Sequence, residues 1–234
     1  MELNLAETLK RRAAERALKY VESGMVLGLG TGSTVAHFLD LLGTKLSRGE
    51  LSDIVGVPTS VWTTREAGKA GIDLIGLADR DKIDLTIDGA DEVSPDLDLI
   101  KGMGGALLRE KMVAQASRLV VIIADESKAV DRLGTVSPLP VEVVDWAPGT
   151  HAKFLERLGA EVRIRNTKDG QPLRSDNGNL VLDCSFAGGI DHPAELNAAL
   201  KSRAGVVETG FFLGLADVAI LASADDIDVR ERSK

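Results

Sequence analysis

Aromatic residues make up only 3% of this chain, cysteine occurs once, and no apolar run approaches the roughly 20 residues that a membrane-spanning helix requires. The single cysteine, Cys184, excludes an internal disulfide and fits a reducing compartment. It falls in the apolar run Leu180 to Phe186, which reads as a buried structural thiol rather than a nucleophile. The three histidines, His37, His151 and His192, are scattered, with no second ligand at metal-site spacing, so no metal is expected. Positive charge is also short. Against 36 Asp and Glu there are 28 Lys and Arg, a net charge of −8 that argues against nucleic acid or an anionic membrane as the main partner. Met1 to Tyr20 is charged and helical in pattern rather than apolar, so no signal peptide is expected and the chain reads as cytoplasmic.

What remains is aliphatic. Hydrophobic residues are 44% of 234, enough for a sizeable core, and with so few aromatics that core is Val, Leu, Ile and Ala. Such a bias suits parallel strands buried on both faces. In order, Asn4 can cap a helix running to about Val21, with Glu7 as capping-box partner and Leu5, Leu9, Ala13, Ala17 and Val21 as its inner stripe. Lys10, Arg11 and Arg12 read as its solvated face. A strand at Met25 to Leu29 leads through Gly28-Leu29-Gly30-Thr31-Gly32-Ser33-Thr34 into a helix from Ser33 to about Leu42, with His37 on it as a packing or surface residue. Strands at Ile54 to Val57, Asp73 to Ile75, Ile83 to Asp88 and Leu119 to Ala124, with a helix at Val61 to Ala70, continue a βαβ rhythm.

The rhythm changes near Val136. Strand Val141 to Val144, helix His151 to Leu158, strand Glu161 to Arg165 with Val162 and Ile164 inward, strand Leu180 to Phe186, helix Ala194 to Lys201 and strand Val206 to Phe211 follow. The Asn177-Gly178 pair before Leu180 is a hairpin signal. The order β-α-β-β-α-β is the split, ferredoxin-like one. Ala216 to Ala222 then returns to the first sheet. The expected fold is therefore α/β. A Rossmann-like, mostly parallel sheet domain (1–131 plus 211–234) carries an inserted ferredoxin-like α+β lid (132–210).

Polar chemistry gathers where strands end. The glycine turn before Ser33 joins a strand to a helix N-terminus, a ready anion site, and Thr31, Ser33 and Thr34 add hydroxyls that suit a phosphate. The turn lacks the Gly-Lys-Ser/Thr ending of a nucleoside-triphosphate loop. The second strand ends in Pro58-Thr59-Ser60, without the acid that holds a dinucleotide's ribose. A small phosphorylated ligand fits better than NAD, although a tight structural turn has the same appearance.

Leu85 to Lys111 carries the rest. Asp88-Gly89-Ala90-Asp91 breaks one strand, and Lys101-Gly102-Met103-Gly104-Gly105 breaks the next before a helix on which Leu107, Leu108, Met112 and Ala116 can share a face. Asp88 and Asp91 can hold or deprotonate hydroxyls, Lys101 beside glycine-loop N–H groups can face a developing oxyanion, and Glu110 is a candidate general base. Read separately, the aspartates cap a turn, Lys101 is solvated and Glu110 faces outward. An Asp88–Asp91 magnesium site competes with a sugar-hydroxyl role. Lys128, after a further strand end, either reaches the same crevice or is solvated.

The segments GLGTGSTVAHFL (28–39), IDGADEV (87–93), IKGMGGALLREK (100–111), ADESK (124–128), LPVEV (139–143) and SDNGNLVLD (175–183) together resemble ribose-5-phosphate isomerases of the A type over essentially the whole chain. The resemblance implies interconversion of ribose 5-phosphate and ribulose 5-phosphate in the non-oxidative pentose phosphate pathway, with neither metal nor organic cofactor. It also implies a homo-oligomer, usually a dimer or tetramer. It places the catalytic glutamate on Glu110, substrate-contacting aspartates on Asp88 and Asp91 (with Gly89 and Ala90 between them), and lysines on Lys101 and Lys128. The substrate loop falls on Thr31, Gly32, Ser33 and Thr34, and a second on Gly102, Met103 and Gly104. One departure stands out. The family loop usually reads Lys-Gly-Gly-Gly, and a methionine in its middle would be strained were positive φ required there. Competing expectations are an isomerase of another phosphosugar, a sugar-phosphate-sensing domain, which would need a DNA-binding segment, and an NAD-dependent oxidoreductase.

Overall fold

A computed structural model describes residues 5–232. The expected cap at Asn4 lies outside them. The elements run α1 (Leu5–Ala17), β1 (Val26–Leu29), α2 (Ser33–Ser47), β2 (Val55–Pro58), α3 (Val61–Lys69), β3 (Asp73–Leu74), β4 (Leu85–Asp88), β5 (Glu92–Val93) and β6 (Leu99–Ile100). Helix α4 (Leu107–Gln115), β7 (Val120–Asp125), β8 (Leu139–Val143), α5 (Pro148–Arg157), β9 (Ala160–Ile164) and β10 (Leu180–Phe186) follow. The last are α6 (Pro193–Lys201), β11 (Val206–Thr209), β12 (Phe211–Phe212), β13 (Val218–Ala222) and β14 (Ile227–Glu231). None of the described helices is long and apolar enough to cross a membrane.

Contacts divide the chain into two units. The first comprises 1–90, 109–128 and 214–234. Its sheet has the order β14-β13-β7-β4-β1-β2-β3. All pairings in it are parallel except β13 with β14. One face is covered by α1 and α2, whose Leu9, Ala13, Phe38 and Leu42 pack on Leu27, Leu85, Ile87, Val121 and Ile220. On a separate cluster, Val113 of α4 meets Val57 and Ile83. Burial on both sides explains the unbroken aliphatic runs. The edge strand β14, IDVRE, is half-exposed and alternates with polar residues, so its apolar content is too thin to mark it in the sequence.

Three readings of this unit need correction. Leu5 is 63% exposed, because α1 turns its inner face through Leu9, Ala13, Ala14 and Ala17. Arg12 is not simply solvated: its Nη1 donates to the carbonyls of Ser223 and Ala224. Lys10 pairs with Glu7, whose other oxygen lies 2.9 Å from His37 Nε2. Met112 is 48% exposed, while the buried residues of its helix include Glu110 and Lys111. The inner face of α4 is thus partly ionic, which apolar spacing cannot reveal.

The second unit comprises 91–108 and 129–213. Its four-stranded sheet, β11-β8-β10-β9, is antiparallel throughout, the strand order of the ferredoxin-like fold. Leu139, Val141, Val143, Leu155, Leu182 and Leu200 form its core with Cys184, which is buried and whose thiol pKa is pushed up by that burial. Ile164 is 39% exposed rather than inward, since β9 is the sheet's edge. The expected strand through Phe211 breaks at Gly210. There a Cβ would sit 2.5 Å from the Lys101 carbonyl, and Phe211–Phe212 join a separate small sheet, β12-β6-β5.

Two buried carboxylates fasten this unit. Glu142, on β8, accepts through Oε1 from Ser175 Oγ (2.7 Å), Asn179 Nδ2 (2.8 Å) and Asn177 Nδ2 (3.2 Å), so the Asn-Gly turn is tied to the strand it faces. Glu92 is fully buried and takes main-chain N–H groups of Gly134, Val136 and Ser137 at 2.5–2.6 Å. Removing it should destabilise the fold. We expect Glu92→Ala to lower the unfolding free energy by roughly 2–3 kcal/mol in urea titration, the loss of charge-assisted bonds to a buried acceptor.

His151 is buried on α5, and its Nδ1 accepts from Arg203 Nε at 3.3 Å. Burial, then the Arg203 charge, lowers its pKa from the ordinary 6.5. The folded state therefore binds fewer protons than the unfolded one, and this contribution to stability is lost as pH falls from about 6.5 toward the folded value. Urea midpoints should drop over that interval and drop less in His151→Asn; equal drops in both proteins would remove His151 as the cause.

Candidate active site

In the first unit the parallel strands β1, β4 and β7 end at one edge, and the switch of direction in strand order falls between β1 and β4. Ligands of open α/β sheets bind at such a place. Three of the expected segments lie there: Gly30 to Thr34 after β1, Asp88 to Ala90 at the end of β4, and Lys128 in the short turn of 3₁₀ helix after β7.

Asp88 is 2% exposed. Its Oδ1 accepts from the N–H groups of Gly89 (2.7 Å) and Thr31 (3.1 Å). A Cβ on Gly30 would stand 2.1 Å from that same oxygen, so only glycine lets the two strand ends approach this closely. The Thr31 hydroxyl turns inward too. It donates to Ser60 Oγ at 2.8 Å and lies 2.8 Å from Thr59 Oγ1 and 2.9 Å from Thr63 Oγ1. Thr59 and Thr63 in turn donate to the carbonyls of Leu29 and Gly30. Thr31 thus joins the loop to α3 and to Asp88. Gly32, at φ 129°, is the N-cap of α2 and supplies no side chain to its first N–H groups; Ser33 is exposed and Thr34 half-buried beside it. An uncapped helix start with two hydroxyls suits a phosphate. Glu110, on α4, is 3% exposed, and Lys128 is half-buried.

The second unit carries the other segment. Asp91 is half-buried and accepts the Met103 N–H on Oδ2 at 3.0 Å. Lys101 is 3% exposed, its N–H bonds the Gly210 carbonyl, and its Nζ lies 5.3 Å from the centroid of the Phe212 ring. In the turn that follows, Gly102 (φ 106°) and Gly105 (φ 78°) take the left-handed backbone. Met103 does not. Its side chain is 42% exposed, so methionine is accommodated without strain.

Sequence reading passed over the residues behind these. Thr59 and Ser60 read as the end of the second strand and Thr63 as part of the helix after it, and their hydroxyl cluster arises only because β1 and β2 are neighbours. Arg165 and Asp183 read as ordinary strand residues. Yet Arg165 Nη1 donates to the carbonyls of Gly102 (2.7 Å) and Met103 (2.9 Å), and Nε and Nη2 grip the Asp183 carboxylate. No spacing signal pointed to that pair. Among the described residues there is no group of three or more His, Cys, Asp or Glu side chains placed to hold a metal.

The family model of ribose 5-phosphate isomerase A (phosphoriboisomerase A) matches residues 55–226. The ribose-5-phosphate isomerase A of Desulfatibacillum aliphaticivorans is 51% identical over 94% of this chain and 96% of its own, and that of Chloroflexus aurantiacus 50% identical over 97% and 95%. A solved D-ribose-5-phosphate isomerase in complex with phospho-erythronic acid superposes with a TM-score of 0.95 at 41% identity, covering 98% of this chain and all of that one. The Plasmodium falciparum enzyme gives a TM-score of 0.94 at 37% identity, covering 97% and 100%. With its strand order, its interlocked glycine loop and near full-length identity of about one half to curated relatives, the chain belongs to the ribose 5-phosphate isomerase A family.

Proposed function

We propose that this protein interconverts D-ribose 5-phosphate and D-ribulose 5-phosphate through an enediolate, with Glu110 moving the proton. The observation that carries the assignment is the burial of the Glu110 carboxylate, 3% exposed, on a helix whose apolar pattern gives no reason to bury it. The phosphate sits on the N-terminus of α2 and the Thr31–Thr34 loop, with Lys128 supplying charge. Asp88 or Asp91 takes the C1 hydroxyl proton and passes it to the ring oxygen as the bond from C1 to that oxygen breaks and the furanose opens, Gly89 and Ala90 holding their spacing. Glu110 then removes the proton from C2 of the open aldose. The electron pair moves into C1–C2 and onto O1, the hydroxyl proton of O2 passes to O1, and Glu110 returns its proton to C1, leaving the ketone at C2. Lys101 and the Gly104 N–H of the Gly102–Gly104 turn stabilise the negative oxygen. Preorganised donors of this kind are worth about 2.7–4 kcal/mol each in the barrier.

The chemistry of the ligand in the solved relative supports this reading. Phospho-erythronic acid carries a phosphate at one end and a planar carboxylate at the other, the two charged features of an enediolate sugar phosphate. The same reading places the protein in the non-oxidative pentose phosphate pathway, in the cytoplasm, as a homo-oligomer.

Three measurements test it. Formation of ribulose 5-phosphate, followed with EDTA present, should proceed from ribose 5-phosphate and not from arabinose 5-phosphate. In the same assay Glu110→Gln should fold normally and lose about 10²–10⁴-fold in kcat; a folded variant at wild-type rate takes Glu110 out of the mechanism. Gly30→Ala should cost about 10²-fold in kcat/KM, because its methyl group displaces the Asp88 carboxylate. Retained activity there would show that the position of Asp88 is immaterial to turnover.

A further inference from the structure

From the bonding around Gly102 and Met103 we infer that Arg165, held by Asp183, is the positioning residue that aims the Gly104 N–H at the developing oxyanion. The inference rests on the isomerase reading above.

Peptide planarity couples the two ends of each peptide unit in this turn. The Gly102 carbonyl and the Met103 N–H belong to one rigid plane and point in opposite directions. Arg165 Nη1 holds the carbonyl at 2.7 Å, and Asp91 Oδ2 holds the N–H at 3.0 Å. That plane is gripped at both ends. The Met103 carbonyl also goes to Arg165 Nη1, at 2.9 Å, and this fixes the next plane, whose other end is the Gly104 N–H. That N–H must point away from the guanidinium, at an exposed residue. The Gly102 carbonyl has a second donor, the Gly105 N–H at 2.9 Å, which closes the turn.

Arg165 could not do this from a mobile side chain. Its side chain is 9% exposed, and the Asp183 carboxylate receives Nε (3.0 Å to Oδ2) and Nη2, so the planar fork is fixed before it meets the turn. A lysine would bring the charge without the fork. Neighbouring Arg163 gives the contrast: it is 80% exposed and pairs only with Glu161 among the bonds described.

An effect confined to the transition state lowers kcat and kcat/KM together and leaves KM alone. We expect Arg165→Ala to lose about 10²-fold in both, the penalty of a donor misplaced by about 1 Å. Guanidinium ion added to the assay should restore part of kcat. Asp183→Asn should shift both constants in the same direction by less, and Arg163→Ala should match wild type. If Arg165→Ala does not fold, Arg165→Lys carries the test with the same expected split. A folded variant with wild-type kcat, or a loss confined to KM, overturns the inference while leaving the isomerase reading intact. Absence of turnover in the wild-type protein would instead overturn that reading.

Discussion

Two main-chain N–H groups, from Thr31 and Gly89, converge on one oxygen of Asp88, and Gly30 stands beside that oxygen with no room for a side chain. The rest of the first unit follows from this contact. It requires β1 and β4 to be adjacent and parallel, so that both end at the same edge. It also requires the chain to turn into α2 within three residues, which glycine at 30 and 32 permits. Because the carboxylate is buried, those N–H groups must be aimed at it, or its desolvation would go uncompensated. Thr31 is held from the other side by hydroxyls of α3 and the turn before it, so the loop is fixed by hydrogen bonds rather than by packing.

The second unit applies the same chemistry in another form. Glu92 and Glu142 are buried carboxylates, the first held by main-chain N–H groups and the second, through Oε1, by amide and hydroxyl donors, and each pins a loop to a strand. Arg165 and Asp183 pin the Gly102–Met103 turn in reverse, with a cation on carbonyls. In a chain with a net charge of −8, acids sit inside where local donors can be brought to them. Glycines at positive φ, Gly102 and Gly105, give the turn its curvature, and Met103 between them keeps ordinary backbone and an exposed side chain.

Much of this was legible in the sequence because it is local. The run of βαβ units, the later β-α-β-β-α-β order and the Asn177-Gly178 turn were read from apolar period and turn residues, and the sheets formed accordingly. The strand ends at Gly30–Thr34, Asp88–Asp91 and Lys101–Gly104 stood out because breakers and charged groups cluster there. The misreadings have a common cause. Leu5, Ile164 and Met112 have apolar side chains whose burial depends on a neighbour that the sequence does not specify. The strand through Phe211 broke because Gly210 approaches the Lys101 carbonyl, a contact between positions far apart in the chain.

What the sequence by itself determined, then, is the kind of fold and the residue types available for proton transfer beside a phosphate: spacing and turn chemistry act over a few residues. Which side chains those loops lean on was decided only in three dimensions. The Thr59–Ser60–Thr63 cluster beneath Thr31, the inward face of Glu110 and the hold of Arg165 on Gly102 and Met103 depend on strand neighbours and helix rotation. The physical reason is that a hydrogen bond needs its partners within about 3 Å and aligned, a condition that only the packed chain imposes on residues thirty to sixty positions apart.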